Sequence, residues 1–148
     1  MVLMYEVRRA DGYWVSDDRA LLDMVFIHES LAGVYWAVDR PRVLTERSWA
    51  HCLCFGVYAL DGTPVGFGRV LTDYALRAHV GDVFIRPALR GLGLGKALIE
   101  SILAHPDLVT VADWTLTTAD AHGLYRRFGF RLAEPDGKWM VMQRAGLG

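Results

Sequence analysis

Apolar residues recur every three or four positions along the stretch LGKALIESIL. Leu94, Leu98 and Ile102 fall four apart, and Ile99 and Leu103 widen the same stripe. This period matches that of the α-helix, so the stretch predicts an amphipathic helix whose apolar face packs on a sheet. A proline soon after the stripe is expected to end the helix.

Other stretches show the short apolar runs or the alternation typical of strands. A first strand is predicted in YEVRRA, and a further strand is predicted from about Ala78 to Ile85. The runs CFGVYAL and VGFGRVLT predict a hairpin, because Asp61 and Gly62 between them form a common turn pair. Two later strands are predicted in TVADWTLTT and at Trp139–Gln143.

Helix signals lie between these strands. Capping residues at 16–18 favour a helix from about residue 19 to 31, and Pro41 favours a second helix through about Ala50. AHGLYRRFGF predicts a short helix that ends at Gly129. The order of elements predicts one α/β (α+β) domain over residues 1–148, with a mixed, mostly antiparallel sheet flanked by helices on both faces.

Composition narrows the classes of function. The 148 residues are 53% hydrophobic and 22% charged, and a net charge of -1 with interspersed signs gives no pattern for binding nucleic acid or an anionic membrane. No apolar leader or membrane span is seen, so the sequence predicts a cytoplasmic protein. Cys52 and Cys54, one residue apart, are expected to be buried free thiols, and no metal site is predicted.

The segment VFIRPALRGLGLGKALIE concentrates glycine between a strand and a helix, at Gly91, Gly93 and Gly95. A P-loop does not fit, because it requires serine or threonine after Lys96. A dinucleotide fingerprint that starts at Gly91 does not fit either, because it requires glycine at position 96. The third pattern, Q/R-x-x-G-x-G/A, matches at Arg90, Gly93 and Gly95.

That segment and AHGLYRRFGF, which is similar to A-x-x-L-Y-x-x-x-G-F, occur in the right order and about thirty residues apart. Over roughly residues 54 to 144 the chain therefore resembles the GNAT superfamily of acetyl-CoA-dependent N-acetyltransferases. The resemblance implies acetyl transfer from acetyl-CoA to a primary amine of a small molecule or peptide, by direct attack on the thioester. A non-catalytic acyl-CoA-binding or regulatory domain, an interaction protein that keeps only the fold, and a homodimer all stay open.

The resemblance implies that acetyl-CoA binds at the glycine turn. Backbone amides at a helix N-terminus cradle a pyrophosphate, and the preceding strand pairs with the pantetheine arm. The residues implied in coenzyme binding are Val83, Phe84, Ile85, Arg90, Gly91, Leu92, Gly93, Leu94, Gly95 and Lys96. Thr118 stands where many members have asparagine, so that contact is either lost or made by a hydroxyl.

For catalysis, the resemblance implies that Tyr125 hydrogen-bonds the coenzyme sulfur. Many members also carry a glutamate at the position of Gly81, so the general base is unassigned. We rank Asp82 first, then His79 and Asp73. On a regular strand Asp82 would point to the opposite sheet face from Gly81, whereas His79 would share the face of Gly81.

The acceptor site is predicted in HESLAGVYWAVDR. Tyr35 and Trp36 could form an aromatic wall, with Glu29 or Asp39 attracting an ammonium group. His122, one turn before the predicted catalytic tyrosine, could touch the coenzyme.

Overall fold

The computed structural model describes residues 4–134 and 136–144, within which the strands form a six-stranded sheet. The strands are β1 (Glu6–Arg8), β2 (Trp14–Ser16), β3 (Leu53–Tyr58), β4 (Pro64–Thr72), β5 (Arg77–Ile85) and β6 (Asp113–Thr115). The helices are α1 (Met24–Ala32), α2 (Arg42–Ala50), α3 (Leu94–Leu103) and α4 (His122–Arg126). Short 3-10 turns occupy Arg19–Leu21, Pro87–Leu89 and Pro106–Leu108.

The strands lie in the sheet in their order along the chain. Neighbours from β1 to β5 are antiparallel, whereas β5 and β6 are parallel, with Ala78 opposite Trp114. The predicted mixed, mostly antiparallel sheet is therefore confirmed. The long connection through α3 permits the parallel return, which a tight hairpin cannot make.

Helices cover both faces of the sheet, as the sequence predicts. On one face, Leu98 and Ile102 of α3 pack in a buried cluster with Phe55 of β3. On the other face, Ile27 of α1 and Trp49 of α2 belong to a second buried cluster. The predicted apolar stripe of α3 is thus the face that contacts the sheet.

The N-terminal third departs from the sequence prediction in two ways. β2 is not anticipated, because its residues follow a short turn and show too little alternation to predict a strand. The expected helix from 19 to 31 is divided into a 3-10 turn and α1. The division arises because Asp23 accepts a hydrogen bond from the Phe26 amide and starts a new helix, at an N–O distance of 3.0 Å.

The strand predicted at Trp139–Gln143 is wrong. Within the described part of the chain these residues form no ladder with β6, and Met140 and Val141 are 91% and 88% exposed. Alternation indicates a preference for extended backbone, but a strand also requires a partner edge and a face to bury.

In the ranges 4–134 and 136–144, no helix has the length and apolarity to cross a membrane.

A β-bulge changes which side chains of β5 face α3. The register with β4 shifts between Phe67 and Arg69, and Asp82 has a φ of +52°. Ala78 and Val80 pack towards α3 before the bulge, but Val83 and Ile85 do so after it. Simple alternation would have kept even-numbered positions on that face throughout.

The bulge directs the Asp82 carboxylate to the face of α1 and α2, which corrects the orientation expected from the sequence. Arg40 Nη1 and Nη2 donate to it at 2.8 and 3.1 Å, Arg69 Nε donates at 2.8 Å, and Trp49 Nε1 donates at 3.2 Å. The carboxylate side chain is only 1% exposed. We call Asp82, Arg40, Arg69 and Trp49 the Asp82 cluster.

We expect Asp82→Asn to lower the free energy of unfolding by about 3 kcal/mol, because two partly buried guanidinium groups lose their counter-charge. Asparagine tolerates positive φ, so the bulge itself is retained. Chemical denaturation at neutral pH measures the effect. Asp61→Asn, at an exposed hairpin turn, is the control and should change stability little.

The wild-type protein and Asp82→Asn can also be compared as a function of pH. Burial raises the pKa of Asp82, but hydrogen bonds and charge from Arg40 and Arg69 outweigh burial, so the net pKa is lowered. The carboxylate therefore stabilises the fold above its unfolded pKa of about 3.9, and the contribution is lost as pH falls through the lower folded value. The stability difference between wild type and Asp82→Asn should shrink in acid; a constant difference would contradict the ion-pair account.

Candidate active site

The glycine turn leads directly into α3. Gly91 and Gly93 have φ values of +87° and +76°, which strain residues that carry a side chain. The first helical hydrogen bond runs from the Ala97 amide to the Gly93 carbonyl at 3.0 Å. The amides of residues 94–96 precede that bond and have no partners within the helix. They therefore form, with the positive end of the helix dipole, a site suited to an anion.

An arginine outside the predicted site residues holds this turn in place. Arg9, in the turn after β1, donates from Nη2 to the Leu92 carbonyl at 2.8 Å and to the Asp11 carboxylate at 2.7 Å. The Arg9 Nη1 atom would lie 3.7 Å from a Cβ placed on Gly93. Arg9, paired with Asp11, thus fixes the backbone of the turn beside the amides. No local motif marks it, because the contact joins residues 83 positions apart.

The edge of β5 beside the turn is open. Its ladder with β6 ends at the pair His79 and Thr115, although β5 continues to Ile85. The Arg86 amide donates to the Val65 carbonyl of β4 at 2.8 Å. Because the backbone N–H and C=O groups of successive strand residues point to alternate sides, those of Val83 and Ile85 point away from β4, towards the opening. Beyond the His79–Thr115 pair, β5 is therefore no longer paired with the strand that contains Trp114.

A cleft of about 600 Å³, here called the glycine cleft, lies between this open edge, the glycine turn and α4. Of the residues implied in coenzyme binding, those that line it are Val83, Phe84, Ile85, Arg90, Gly91, Gly93, Leu94, Gly95 and Lys96. Leu92 is absent from this lining, and its carbonyl is taken by Arg9. Thr118 lies outside the cleft, with its hydroxyl accepting a hydrogen bond from the Ala121 amide at 3.0 Å.

A second cleft, of about 510 Å³, opens on the α1 and α2 face between β5 and the segment after β6. We call it the arginine cleft, because Arg40 and Arg69 line it. Trp36, Val83 and Tyr125 line both this cleft and the glycine cleft. The two clefts therefore meet at these three residues.

Tyr125 lies at that junction on α4. The residue is 8% exposed, and its ring meets Phe130 edge to face with 5.9 Å between centroids. Burial, and to a smaller extent the charge of Asp120, raises the pKa of the Tyr125 phenol. The phenol is therefore protonated at neutral pH and can donate a hydrogen bond into the junction.

The geometry argues against Asp82, the first-ranked candidate base. Its carboxylate is almost fully buried, accepts hydrogen bonds from three side chains and has a lowered pKa. A good base needs a free lone pair and a pKa near the working pH, and Asp82 has neither. Asp82 therefore has a structural role in the wall of the arginine cleft.

His79 is better placed among the candidate bases. It lines the arginine cleft, and its Nδ1 lies 2.8 Å from Thr115 Oγ1. Burial, then the charge of Arg69, lowers the pKa of His79, so the imidazole is neutral at pH 7. Asp73 instead accepts hydrogen bonds from three amides of its own loop, which lower its pKa to about 2, and it does not line the cleft.

An arginine lies beside Gly81. A Cβ placed on Gly81 would lie 3.4 Å from both Cζ and Nη2 of Arg69. The position at which the resemblance implies a glutamate therefore has a positive charge beside it. Arg69 and Arg40 could not be predicted as site residues from the sequence, because neither belongs to a motif.

The aromatic pair of the predicted acceptor site lies at the arginine cleft. Tyr35 and Trp36 line it, with their rings edge to face and 5.2 Å between centroids. The predicted acids do not join them. Glu29 lies at a different surface depression beside α1, and Asp39 is exposed outside the arginine cleft. His122 also lies outside both clefts, at an adjacent apolar depression.

Comparison with known proteins agrees with this architecture. Residues 12–130 match the model of the Acetyltransferase (GNAT) family. A crystal structure of a protein from Xanthomonas campestris pv. campestris assigned to the GNAT family has a TM-score of 0.85 and 44% identity, covering 91% of this chain and 95% of that one. The chain therefore belongs to the GNAT acetyltransferase family.

Two further proteins are similar to this chain, one in sequence and one in fold. Serotonin N-acetyltransferase 2, chloroplastic, from Oryza sativa subsp. japonica is 37% identical over 131 residues, or 86% of this chain and 65% of that protein. The chain thus spans just under two thirds of this relative's length. A GNAT acetyltransferase from Elizabethkingia anophelis, solved with acetyl-CoA bound, has 12% identity and a TM-score of 0.65, covering 84% of this chain and 79% of that one, so it shows the fold alone.

We expect Gly93→Val to weaken acetyl-CoA binding at least tenfold, because the added side chain covers the amides at the start of α3 and strains a φ of +76°. Isothermal titration calorimetry with acetyl-CoA measures the effect. Gly62→Val is the matched control: it has a φ of +90°, its Cβ has open space, and it lies in the β3–β4 hairpin. Equal affinity losses in both variants would refute the assignment of the turn.

Proposed function

We propose that this protein transfers the acetyl group of acetyl-CoA to a primary amine of a small molecule or peptide, by direct attack of the amine on the thioester. The observation that carries the proposal is the meeting of the two clefts at Tyr125. One cleft ends at the amides of a helix N-terminus, and the other is lined by a neutral histidine. Two reactants that enter from opposite sides would meet at a hydrogen-bond donor.

In the proposed complex, the coenzyme occupies the glycine cleft. The amides of residues 94–96, with Arg9 beside them, hold the pyrophosphate. The outward backbone groups of Val83 and Ile85 pair with the amides of the pantetheine arm, as a strand would. This pairing directs the thioester to the junction near Tyr125.

The amine enters through the arginine cleft and reaches the thioester as a neutral nucleophile. An alkylamine has a pKa near 10, so only about one molecule in a thousand is neutral at pH 7. We propose that His79 receives the amine proton through Nε2 while Nδ1–H donates to Thr115 Oγ1. The nitrogen becomes far more acidic as its bond to the carbonyl carbon forms, so a neutral imidazole suffices.

Bond breaking completes the reaction. The C–N bond replaces the C–S bond, and the sulfur leaves as a thiolate. Full proton transfer from a phenol of pKa about 10 or higher to a thiolate of conjugate pKa about 8.5 is uphill, so Tyr125 acts by donating a hydrogen bond to the developing charge. The cytoplasmic location stays a prediction from the sequence.

The first test replaces the donor. Tyr125→Phe keeps the ring contact with Phe130 and removes the hydroxyl, so kcat should fall about 100-fold while acetyl-CoA affinity and melting temperature change little. Steady-state kinetics with an active amine, calorimetry and thermal melting measure the three quantities. Unchanged turnover would remove Tyr125 from the mechanism.

The second test concerns the base. His79→Gln should lower kcat at least 100-fold at pH 7. Because the pKa of His79 is lowered from 6.5, its protonation should reduce the wild-type rate only below pH 6.5. His122→Gln, outside both clefts, is the control and should retain activity. Equal rates for the two variants would exclude His79 as the base.

Acetyl-CoA binding without transfer to any member of a broad amine panel would favour the non-catalytic acyl-CoA-binding alternative. This alternative is considered because the chain has glycine at position 81, where many family members have a glutamate. A coupled assay that detects released coenzyme thiol separates the two, because only an enzyme gives amine-dependent release.

A further inference from the structure

From the charges that line the arginine cleft, we infer that the acceptor amine also carries an anionic group, a carboxylate or a phosphate, which binds Arg69 and Arg40. This inference rests on the proposed function and specifies its substrate class. Three charged residues line this cleft, two positive and one negative, and their different burial determines which charge a ligand contacts.

Two guanidinium groups share one carboxylate in this cleft. Arg40, Arg69 and Asp82 are the charged side chains among its described lining residues, and His79 is neutral at pH 7. The wall therefore keeps one net positive charge. An acceptor whose only ionised group is an ammonium would be repelled by it at short range.

Burial makes the imbalance stronger on the side that faces the ligand. The side chain of Asp82 is 1% exposed, whereas those of Arg40 and Arg69 are 18% and 16% exposed. A molecule in the cleft therefore has more of the two arginine side chains to contact than of the carboxylate that neutralises one of them. Such partly desolvated, fixed arginines are well suited to carboxylate and phosphate oxygens.

Arg69 retains donors for this purpose. Its Nε donates to Asp82 at 2.8 Å and its Nη1 lies 3.6 Å from Cys52 Sγ, but Nη2 has no acceptor among residues 4–134 and 136–144. That nitrogen lies over Gly81, where the missing side chain leaves the guanidinium uncovered. Because Arg69 and Tyr125 line the same cleft, an anion held there can place an amine near the junction.

The test compares acceptors that share a ring and an amine but differ in charge. L-Phenylalanine carries a carboxylate, and L-phenylalaninamide and phenethylamine do not. We expect kcat/KM for phenylalanine to exceed that for the amide at least tenfold, although the amide has more free amine at pH 7. A second comparison, of kcat/KM for phosphoethanolamine with that for ethanolamine, tests a phosphate. The pair with the larger ratio of charged to uncharged kcat/KM identifies the preferred anion.

The variant Gly81→Glu places a carboxylate beside Arg69, because a Cβ at this position would contact the guanidinium at 3.4 Å. It should abolish the preference for the anionic acceptor, and Gly81→Gln, equal in size but uncharged, should retain it. Loss of the preference in both variants, or in neither, would overturn the inference.

A binding measurement keeps the inference testable without turnover. With coenzyme A bound, N-acetylphenylalanine should bind at least tenfold more tightly than N-acetylphenylalaninamide in calorimetry, and Gly81→Glu should remove the difference. Efficient transfer to neutral amines with no anionic preference would leave the proposed function standing and overturn the inference. Tight binding of the anionic product with no transfer to any amine would support the anion site and refute the proposed function.

Discussion

The buried carboxylate of Asp82 is the interaction on which the site depends. It joins the strand β5, the preceding strand β4 through Arg69, the loop before α2 through Arg40, and α2 through Trp49. A charge in this environment is tolerated only when its hydrogen-bonding capacity is filled, and the positive φ at the bulge brings the carboxylate to its partners. The same bulge exchanges the residues that face α3, so Val83 packs against the core as the strand reaches the opening.

Much of the fold could be predicted because its signals are local. The stripe of α3, the Asp61-Gly62 hairpin and the proline before α2 each act within a few residues, and the structure confirms these elements. The failures have non-local causes. β2 is defined by pairing with β1 and β3, and the tail at Trp139–Gln143 shows strand periodicity without a partner edge.

The candidate site divides in the same way. The glycine turn and Tyr125 could be predicted because contiguous motifs carry them, and the structure brings both to one pair of connected clefts. The charged wall could not be predicted. Arg40, Arg69 and Asp82 come from three separate segments, and a bulge that no sequence pattern announces turns Asp82 away from the face that alternation assigns.

The contact between Arg9 and the Leu92 carbonyl joins the least extensive part of the sheet to the glycine turn. β1 and β2 are three residues each and lie at one end of the sheet, with β1 as its edge, so their local opening costs less free energy than that of the central strands. Each opening of the hairpin breaks a bond that orders the turn. An anion bound at α3 therefore raises the free energy of that opening, and the N-terminal hairpin becomes a reporter of occupancy in amide hydrogen exchange.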